Sequence, residues 1–558
     1  MRLAGVLAVA TFQAVAFASQ ASFRVPDLEP KFWDAPPHPD ATGNLIFNSV
    51  SSLLQRWPNS LHRNGHTIVP ATIPAGTLLY HGRTNDSIPT IPEWLAFDFE
   101  HSYIFCRASC YVLSAVATRD LRLAYFDGMS AANLFDGSFD TQDVVLWGEP
   151  RPDKVWDEKR RIQSLCEWGR PYGLDGFIRM ELHFEVMYCD FSDGLEIISR
   201  SNLLPKGAGT VWFPPPRDFP ERPGGPTPRE PDQRPPHKGP GGPGGGRPPR
   251  KGPYNFPPPW RDQPTEPPVG WKGSLPGSTV FMEAKIAGSW HDHAPGETRV
   301  HVDYSGLVTF YHPSLRSLVD ARRGLPRIGH RLTNISRADV STVMEELDDV
   351  FKRVGKQGSG VDWRSVTRVV MDRYAQRLEF LKYTLETFAF PNATAQAAST
   401  RAQLLTMLTP YMTTVDVPNS DIIPSANTSW AAPIAERCAR SHTSHILPET
   451  LTRQERLIRG AVEDTQHEIC RRLSLMWTDA FDIEEAKSHR VDQAISSWKM
   501  HVRELMAWLN WSVWVKCDPM CGPDEMCTLP VFPFNSDEDA REPTPRCRSR
   551  LMPYELRT

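Results

Sequence analysis

The chain is 558 residues long, with 62 Lys+Arg against 66 Asp+Glu, a formal net charge of −4 and ten cysteines. That length predicts two to four units rather than one ordinary domain, and a near-balanced charge with no sustained basic run excludes nucleic acid as the main partner. After the N-terminus no window is long and apolar enough to cross a bilayer, so no membrane span is expected.

Met1-Arg2 precedes the apolar run LAGVLAVATFQAVAFA, and Ala16-Phe17-Ala18 supplies an A-x-A cleavage pattern. Residues 1–18 are therefore expected to be a signal peptide, and the protein to be secreted or held in the lumen of the secretory pathway. Asn-x-Ser/Thr acceptor sites at Asn85, Asn334, Asn392, Asn427 and Asn510 agree with glycosylation on that route. Cys106, Cys110, Cys166 and Cys189 lie in the first half, and Cys438, Cys470, Cys517, Cys521, Cys527 and Cys547 in the second. Both groups are even, so each half is expected to close its own disulfides, with connectivity left open. Zinc is the rival for Cys517, Cys521 and Cys527, and secretion favours disulfides.

Residues 19–72 form a polar, turn-rich extension with one short helix around Leu45–Trp57. An α+β domain is expected over 73–213. Its strands are Gly76–Arg83, Trp94–Asp98 and Leu121–Phe126, with a helix running into a strand over His101–Val116 and a charged helix over Trp156–Tyr172. Residues 214–272, with runs such as GPGGPGGGRPPRKGP, hold too little apolar surface to offset chain entropy and read as a linker or insertion. Residues 273–335 read as a β-hairpin, Ser278–Ala287 and Thr298–Tyr311 around GSWHDHAPGE, completing the first sheet across the insertion. From Ser336 the period turns helical: Val340, Val343, Met344, Leu347 and Val350, then Val366, Val369, Val370, Tyr374, Leu378, Leu381 and Leu385. An all-α helical bundle is expected over 336–515, structural or partner-binding in role, and a Cys-rich tail over 516–558.

Phe177–Cys189, FIRMELHFEVMYC, carries the strongest alternation in the chain. Ile178, Met180, Leu182, Phe184, Val186 and Tyr188 fall on one side of a strand; Arg179, Glu181, His183 and Glu185 fall on the other. A solvated strand face is the plain interpretation and a catalytic strand the sharper one. His291, His293, His301 and Asp303 are candidate metal ligands, an H-D-H followed by H-x-D, but exposed loop histidines explain them more simply, and no metal is expected.

Three segments of the first half together resemble the ADP-ribosyltransferase fold of the His-Tyr-Glu group, the diphtheria toxin and poly-ADP-ribose polymerase type. These are Leu79-Tyr80-His81-Gly82; Trp94-Leu95-Ala96-Phe97-Asp98 with Glu100-His101-Ser102-Tyr103; and Gly173-Leu174-Asp175-Gly176 leading to Phe184-Glu185-Val186. The resemblance covers about residues 73–200. The second-motif Tyr is missing, and His183 stands where a Glu-x-Glu variant would place its first Glu. The resemblance implies a split sheet and an NAD-dependent ADP-ribosyltransferase or NAD glycohydrolase, with NAD as substrate. Glu185 and His81 would be catalytic. His81, Gly82, Arg83, Trp94 and Tyr103 would bind NAD, and Glu181 and His183 would shape the choice of a protein or small-molecule ADP-ribose acceptor. The alternative is a non-catalytic secreted glycoprotein that uses the same fold to bind a cell-wall component or a protein. The whole chain also resembles a broad group of uncharacterised secreted fungal proteins through stretches such as SGVDWRSVTRVVMDRYAQRLEFL.

Overall fold

The computed structural model describes residues 33–105, 110–203, 280–353, 358–416, 428–481, 483, 488–530 and 537–550. The expected signal peptide, the Pro/Gly-rich segment 214–272, Cys106 and Asn427 lie outside them. The chain divides into a sheet unit, His38–Ala375 with Thr450–Ala461 and Trp508–Thr558, and a helical unit built on Gln376–Glu449 and Val462–Ala507. The coarse expectation, an α+β part followed by a helical part, holds.

The sheet unit opens with helices α1 (Gly43–Ser52) and α2 (Arg56–Leu61), then strands β1 (Thr67–Ile73), β2 (Leu78–Arg83) and β3 (Glu93–Ala96). Helix α3 (Phe99–Tyr103), β4 (Tyr111–Ala117) and β5 (Leu121–Phe126) follow, then helices α4 (Asp140–Trp147) and α5 (Glu158–Gly169), and β6 (Gly176–Met180), β7 (Phe184–Tyr188) and β8 (Leu195–Asn202). Helix α6 (Val280–Ser289) and the two-residue strands β9 (His301–Val302) and β10 (Val308–Thr309) come next. Ten strands form one curled sheet in the order β10-β1-β5-β6-β7-β3-β2-β4-β8, with β9 also on β1. Every pairing is antiparallel except β5 with β6. That parallel pair needs a long crossover, and α4 and α5 lie within it.

Four expectations are corrected. The extension 19–72 contributes a central strand: Thr67–Ile73 is β1, paired along its length with β5. Its Pro70 has no N–H, and it falls between the β9 contacts at Ala71 and Thr72 and the β10 contacts at Thr67 and Ile68. Ser278–Ala287 is not a hairpin strand, since Val280–Ser289 is α6; the second half of that segment does complete the sheet on β1, as β9 and β10. Phe177–Cys189 is a hairpin rather than one strand. Its register pairs Arg179 with Glu185, and Glu181–His183 makes the turn. The helical domain does not begin at 336, because helix α7 (Arg316–Arg322), helix α8 (Arg337–Phe351) and the start of α9 (Trp363–Glu386) belong to the sheet unit.

Helix α8 starts where Ser336 Oγ accepts the Asp339 N–H at 3.1 Å, an N-cap. Its Val343, Leu347, Val350 and Phe351 pack with Val144, Ile162 and Leu165 of α4 and α5 against Phe126, Phe177 and Met187 of the sheet. This is one apolar core of the sheet unit. The Cys166–Cys189 disulfide ties α5 to the residue after β7. The turn before β6 depends on Gly173 at φ 64° and on Asp175, which accepts Arg119 at 2.7 and 2.8 Å and the Arg122 N–H at 2.7 Å. The tail is a β11–β12 hairpin (Glu525–Thr528, Arg546–Ser549) held by Cys517–Cys527 and Cys521–Cys547. Those cysteines are spent on disulfides, which leaves no thiolate set for zinc.

The helical unit holds the rest of α9, α10 (Ala393–Leu408), α11 (Ala432–Arg440), the latter part of α12 (Arg453–Ala480) and most of α13 (Ser488–Leu509). Leu378, Leu381, Leu404, Ile434, Ile469, Leu473 and Trp498 are buried in it, and Cys438–Cys470 links α11 to α12. Among the described residues no helix is long and apolar enough to cross a membrane.

Candidate active site

Strands β7, β3 and β2 are adjacent in the sheet, so the three segments that carry the family resemblance lie side by side. Directly paired residues on antiparallel strands share a face. Tyr80 pairs with Ala96, Ala96 with Glu185 and Glu185 with Arg179. Gly82 and Leu78 on β2, and Trp94 on β3, fall on that same face.

Glu185 sits there 3% exposed. Arg179 reaches it through Nε at 3.2 Å and Nη2 at 2.7 Å, and also meets Glu158 at 2.8 Å and Gln142 at 3.3 Å. Burial pushes the Glu185 carboxyl up, and the Arg179 charge opposes it. Next to it His101 Nε2 lies 3.4 Å from Glu181 Oε1. Burial pushes the His101 imidazole down, but the Glu181 contact and the charges of Glu181, Glu185 and Asp98 outweigh it, so its pKa is raised. The polar face of the sequence alternation is therefore buried and charge-paired, not solvated.

Two cavities open on this face. A small one, about 10 Å³, is lined by Tyr80, Gly82, Trp94, Ser102, Phe105 and Glu185. A larger one, about 640 Å³, lies toward Leu78; the aromatic rings of Tyr80, Phe97, Phe99 and Trp290 line it together with Asp98, Glu100 and Arg299. Tyr80 borders both.

Asp98, at the end of β3, opens a second polar cluster. Its Oδ2 is 2.8 Å from His183 Nε2. The His183 and His291 rings are 4.8 Å apart, and His291 Nε2 is 3.5 Å from Glu297 Oε2. Arg299 holds Glu297 at 2.6 and 2.8 Å and the Phe97 carbonyl at 2.7 Å. Burial pushes the His183 imidazole down.

The structure separates some of the expected residues. His81 follows Tyr80 on β2, so its ring points to the opposite face from Glu185 and the expected catalytic pair does not meet. There its Nδ1 lies 2.6 Å from the Trp94 carbonyl and its ring packs on Phe191. Burial takes its pKa down to about 4. Arg83 turns to the Ser87 carbonyl, and Tyr103 stacks on Phe99; neither lines either cavity. Gly82 and Trp94 do line the small cavity with Glu185. Of the four candidate metal ligands, only His291 joins the cluster: His293 packs on Trp57, His301 is exposed in β9, and Asp303 caps the turn at Ser305. Asn85, Asn334 and Asn392 are exposed and Asn510 is half-buried. Among the expected disulfide cysteines, Cys110 is bonded as well.

Sequence reasoning missed Trp290, Glu297 and Arg299 as site residues, because they come from beyond the Pro/Gly-rich segment. The signal that pointed there was the His-Asp-His loop.

A family model described as the YPL277C N-terminal domain matches residues 40–115 and 106–233. Two Saccharomyces cerevisiae proteins, each described as an uncharacterized protein, are similar to this chain at 32% identity: YPL277C over 210 residues and YOR389W over 209. Each match covers 28% of this chain, and 43% and 33% of the respective relatives. The chain thus spans less than half the length of the curated relatives it matches. No solved structure matches. The family match takes in β1 to β8 and stops short of Trp290, His291, Glu297 and Arg299.

Proposed function

We propose that the protein is a secreted NAD-consuming enzyme, an ADP-ribosyltransferase or NAD glycohydrolase, with Glu185 as its principal carboxylate. One observation carries this reading. Gly82, Trp94, Tyr80 and Glu185, drawn from the three resembling segments, surround one small cavity that adjoins a cleft of about 640 Å³. A cleft of that volume is of the size that holds a nucleotide-sized ligand.

Cleavage of the nicotinamide–ribose bond builds positive charge on the ribose carbon. A carboxylate already held beside that carbon stabilises the charge as it develops. The nicotinamide amide would meet the Gly82 backbone, and Trp94 offers its ring. Arg299 in the large cleft suits a pyrophosphate, through the paired donors of its guanidinium. His81 takes a positioning part, holding the Trp94 backbone from the other face. Entry of the nicotinamide ring into the small cavity requires Ser102 and Phe105 to move away from Glu185. The disulfides and the signal-like N-terminus support a secretory route.

A second reading keeps the fold for binding alone, and the Arg179–Glu185 pair favours it, because a carboxylate already neutralised is poorly placed to meet a cation. Incubation of the purified chain with NAD separates the two. Nicotinamide release that falls by about 100-fold or more in Glu185→Gln, a loss typical of removing one stabilising group, supports the enzyme. An NAD-dependent rise in melting temperature without release supports binding, and neither response sinks both NAD readings.

A further inference from the structure

The Asp98 cluster brings two imidazoles and a carboxylate to one point. Asp98 Oδ2 and His183 Nε2 lie 2.8 Å apart as a buried charge pair, and neither atom has a further partner. His183 is fully buried, at 0% exposure.

The two imidazoles are arranged alike. His183 Nδ1 lies 3.2 Å from the Phe184 carbonyl and His291 Nδ1 lies 3.0 Å from the Gly296 carbonyl. A carbonyl only accepts, so Nδ1 carries the proton in each ring, and in the neutral imidazole Nε2 then presents a lone pair. Anchoring of the far nitrogen on a carbonyl is how metal-binding histidines are oriented. Both Nε2 lone pairs and the Asp98 carboxylate converge, with the ligand atoms of Asp98, His183 and His291 all within 4.8 Å of one another. Glu297, at 0% exposure, lies behind them with Oε2 3.5 Å from His291 Nε2 and 3.8 Å from His183 Nε2. Asp98 and Glu297 together bring two carboxylates against the single Arg299 guanidinium, which leaves negative charge for a cation to match.

The site is held rigidly from three sides. His183 comes from the β6–β7 turn, Asp98 from the end of β3, and His291 from the loop after α6. That loop is locked: Arg56 bonds Asp292 at 2.7 Å, the Arg56 and Trp57 N–H groups donate to the His291 and Asp292 carbonyls, and the Glu297 N–H donates to Leu54. Gly288 lets α6 approach the turn, since a Cβ there would sit 2.1 Å from the Leu182 carbonyl oxygen. A site preformed to this degree does not have to be assembled by its ligand.

We propose that Asp98, His183 and His291 form a binding site for one divalent transition-metal ion of the zinc type, with Glu297 as a fourth or supporting ligand. Two imidazoles and a carboxylate are a donor set that zinc accepts. Asp98 and Arg299 also line the large cleft, so a position open to water or to a ligand faces that cleft. The inference does not rest on the NAD reading, because metal binding is measured with no NAD present.

The test uses the full chain, treated with a chelator, dialysed and titrated with Zn²⁺ by calorimetry, with Co²⁺ as a spectroscopic probe. About one equivalent should bind saturably, and Co²⁺ should give a visible d–d spectrum. His291→Ala, on a surface-facing loop, should retain the native circular dichroism and lose affinity by about 100-fold or more, at least the loss seen when a group supporting a ligand is removed. Asp98→Asn should weaken binding while keeping the side chain's shape, and Ile198→Ala, at an exposed position of β8, should leave it unchanged. Absence of saturable binding overturns the proposal, and so does binding that survives in the folded His183→Ala/His291→Ala double variant, since the metal then lies elsewhere.

Discussion

Two buried polar clusters flank the same β6–β7 hairpin, one around Glu185 and one around His183, and they differ in what their carboxylates face. Glu185 gives its carboxylate to Arg179, which is shared in turn with Glu158 and Gln142. Asp98 Oδ2 faces His183 Nε2 at 2.8 Å, with the His291 ring also in reach of the same point. The first carboxylate is already held by a cation, so removal of Arg179 should show mainly as lost stability. The second gathers two imidazoles beside its carboxylate, so its removal should show mainly as lost ligand. Burial and charge alone do not separate the two, since both clusters are nearly sealed from water.

The largest expected effect tests the first half of that contrast. Arg179→Met leaves Glu185 and Glu158 facing one another without their cation. Breaking one side of a buried pair costs about 3–5 kcal/mol, measurable by urea denaturation. A loss below about 1 kcal/mol would mean that the pair is not what holds this end of the sheet.

Removal of the Cys166–Cys189 bond should cost nearly as much. It closes a 23-residue separation, for which the chain-entropy argument gives about 3 kcal/mol. A Cys166→Ala/Cys189→Ala variant should melt lower and lose Zn²⁺ affinity only slightly, because the metal ligands sit at the other end of β7. Equal losses in both measurements would join the two clusters into one.

A titration probes the back of the sheet. His81 has its pKa held near 4, by burial first and by the Arg83 charge, against the opposing Trp94 bond. Its folded value is depressed below 6.5, so the unfolded chain takes up the proton first as pH falls. The stability it contributes is full above about pH 6.5 and is lost progressively toward pH 4, by about 3 kcal/mol at most. His81→Gln should flatten that part of the pH dependence relative to the native chain. An unchanged slope would assign the acid sensitivity to the other buried histidines, such as His66 and His330, whose pKa values are also lowered.

The smallest expected stability change is at the cleft. Trp290 is 67% exposed, so Trp290→Ala should alter stability by less than about 0.5 kcal/mol. The same substitution should weaken a ligand that stacks in the cleft, read as a smaller NAD-dependent rise in melting temperature. A large drop in stability with no change in ligand response would make Trp290 a packing residue.

Local pattern was enough for much of this molecule. The helical period from Ser336 onward, the strand Leu121–Phe126 and the Gly-Leu-Asp-Gly turn are short-range features, set by spacing and by backbone preference, and each is present where the sequence puts it. The even split of cysteines between the halves agrees with the bonds formed at Cys166–Cys189, Cys438–Cys470 and the tail. The hairpin in Phe177–Cys189 escaped because Glu181, Leu182 and His183 continue the period of two straight through a turn with no Gly, Pro or Asn. The α6 helix escaped for a similar reason, since a short apolar run fits a buried helix as well as a strand.

What the sequence could not determine was which residues meet. Alternation ranks side chains by face within one strand, but the partner across the sheet comes from register, and register puts His81 and Glu185 on opposite sides. It likewise says nothing about segments joined only through space. His291, Glu297 and Arg299 stand more than 100 residues after His183, and a loop locked onto α2 brings them to it. Spacing along the chain determined the elements; the closing of the sheet and the seating of that loop decided the site, because long-range contacts depend on which buried polar atoms can be paired.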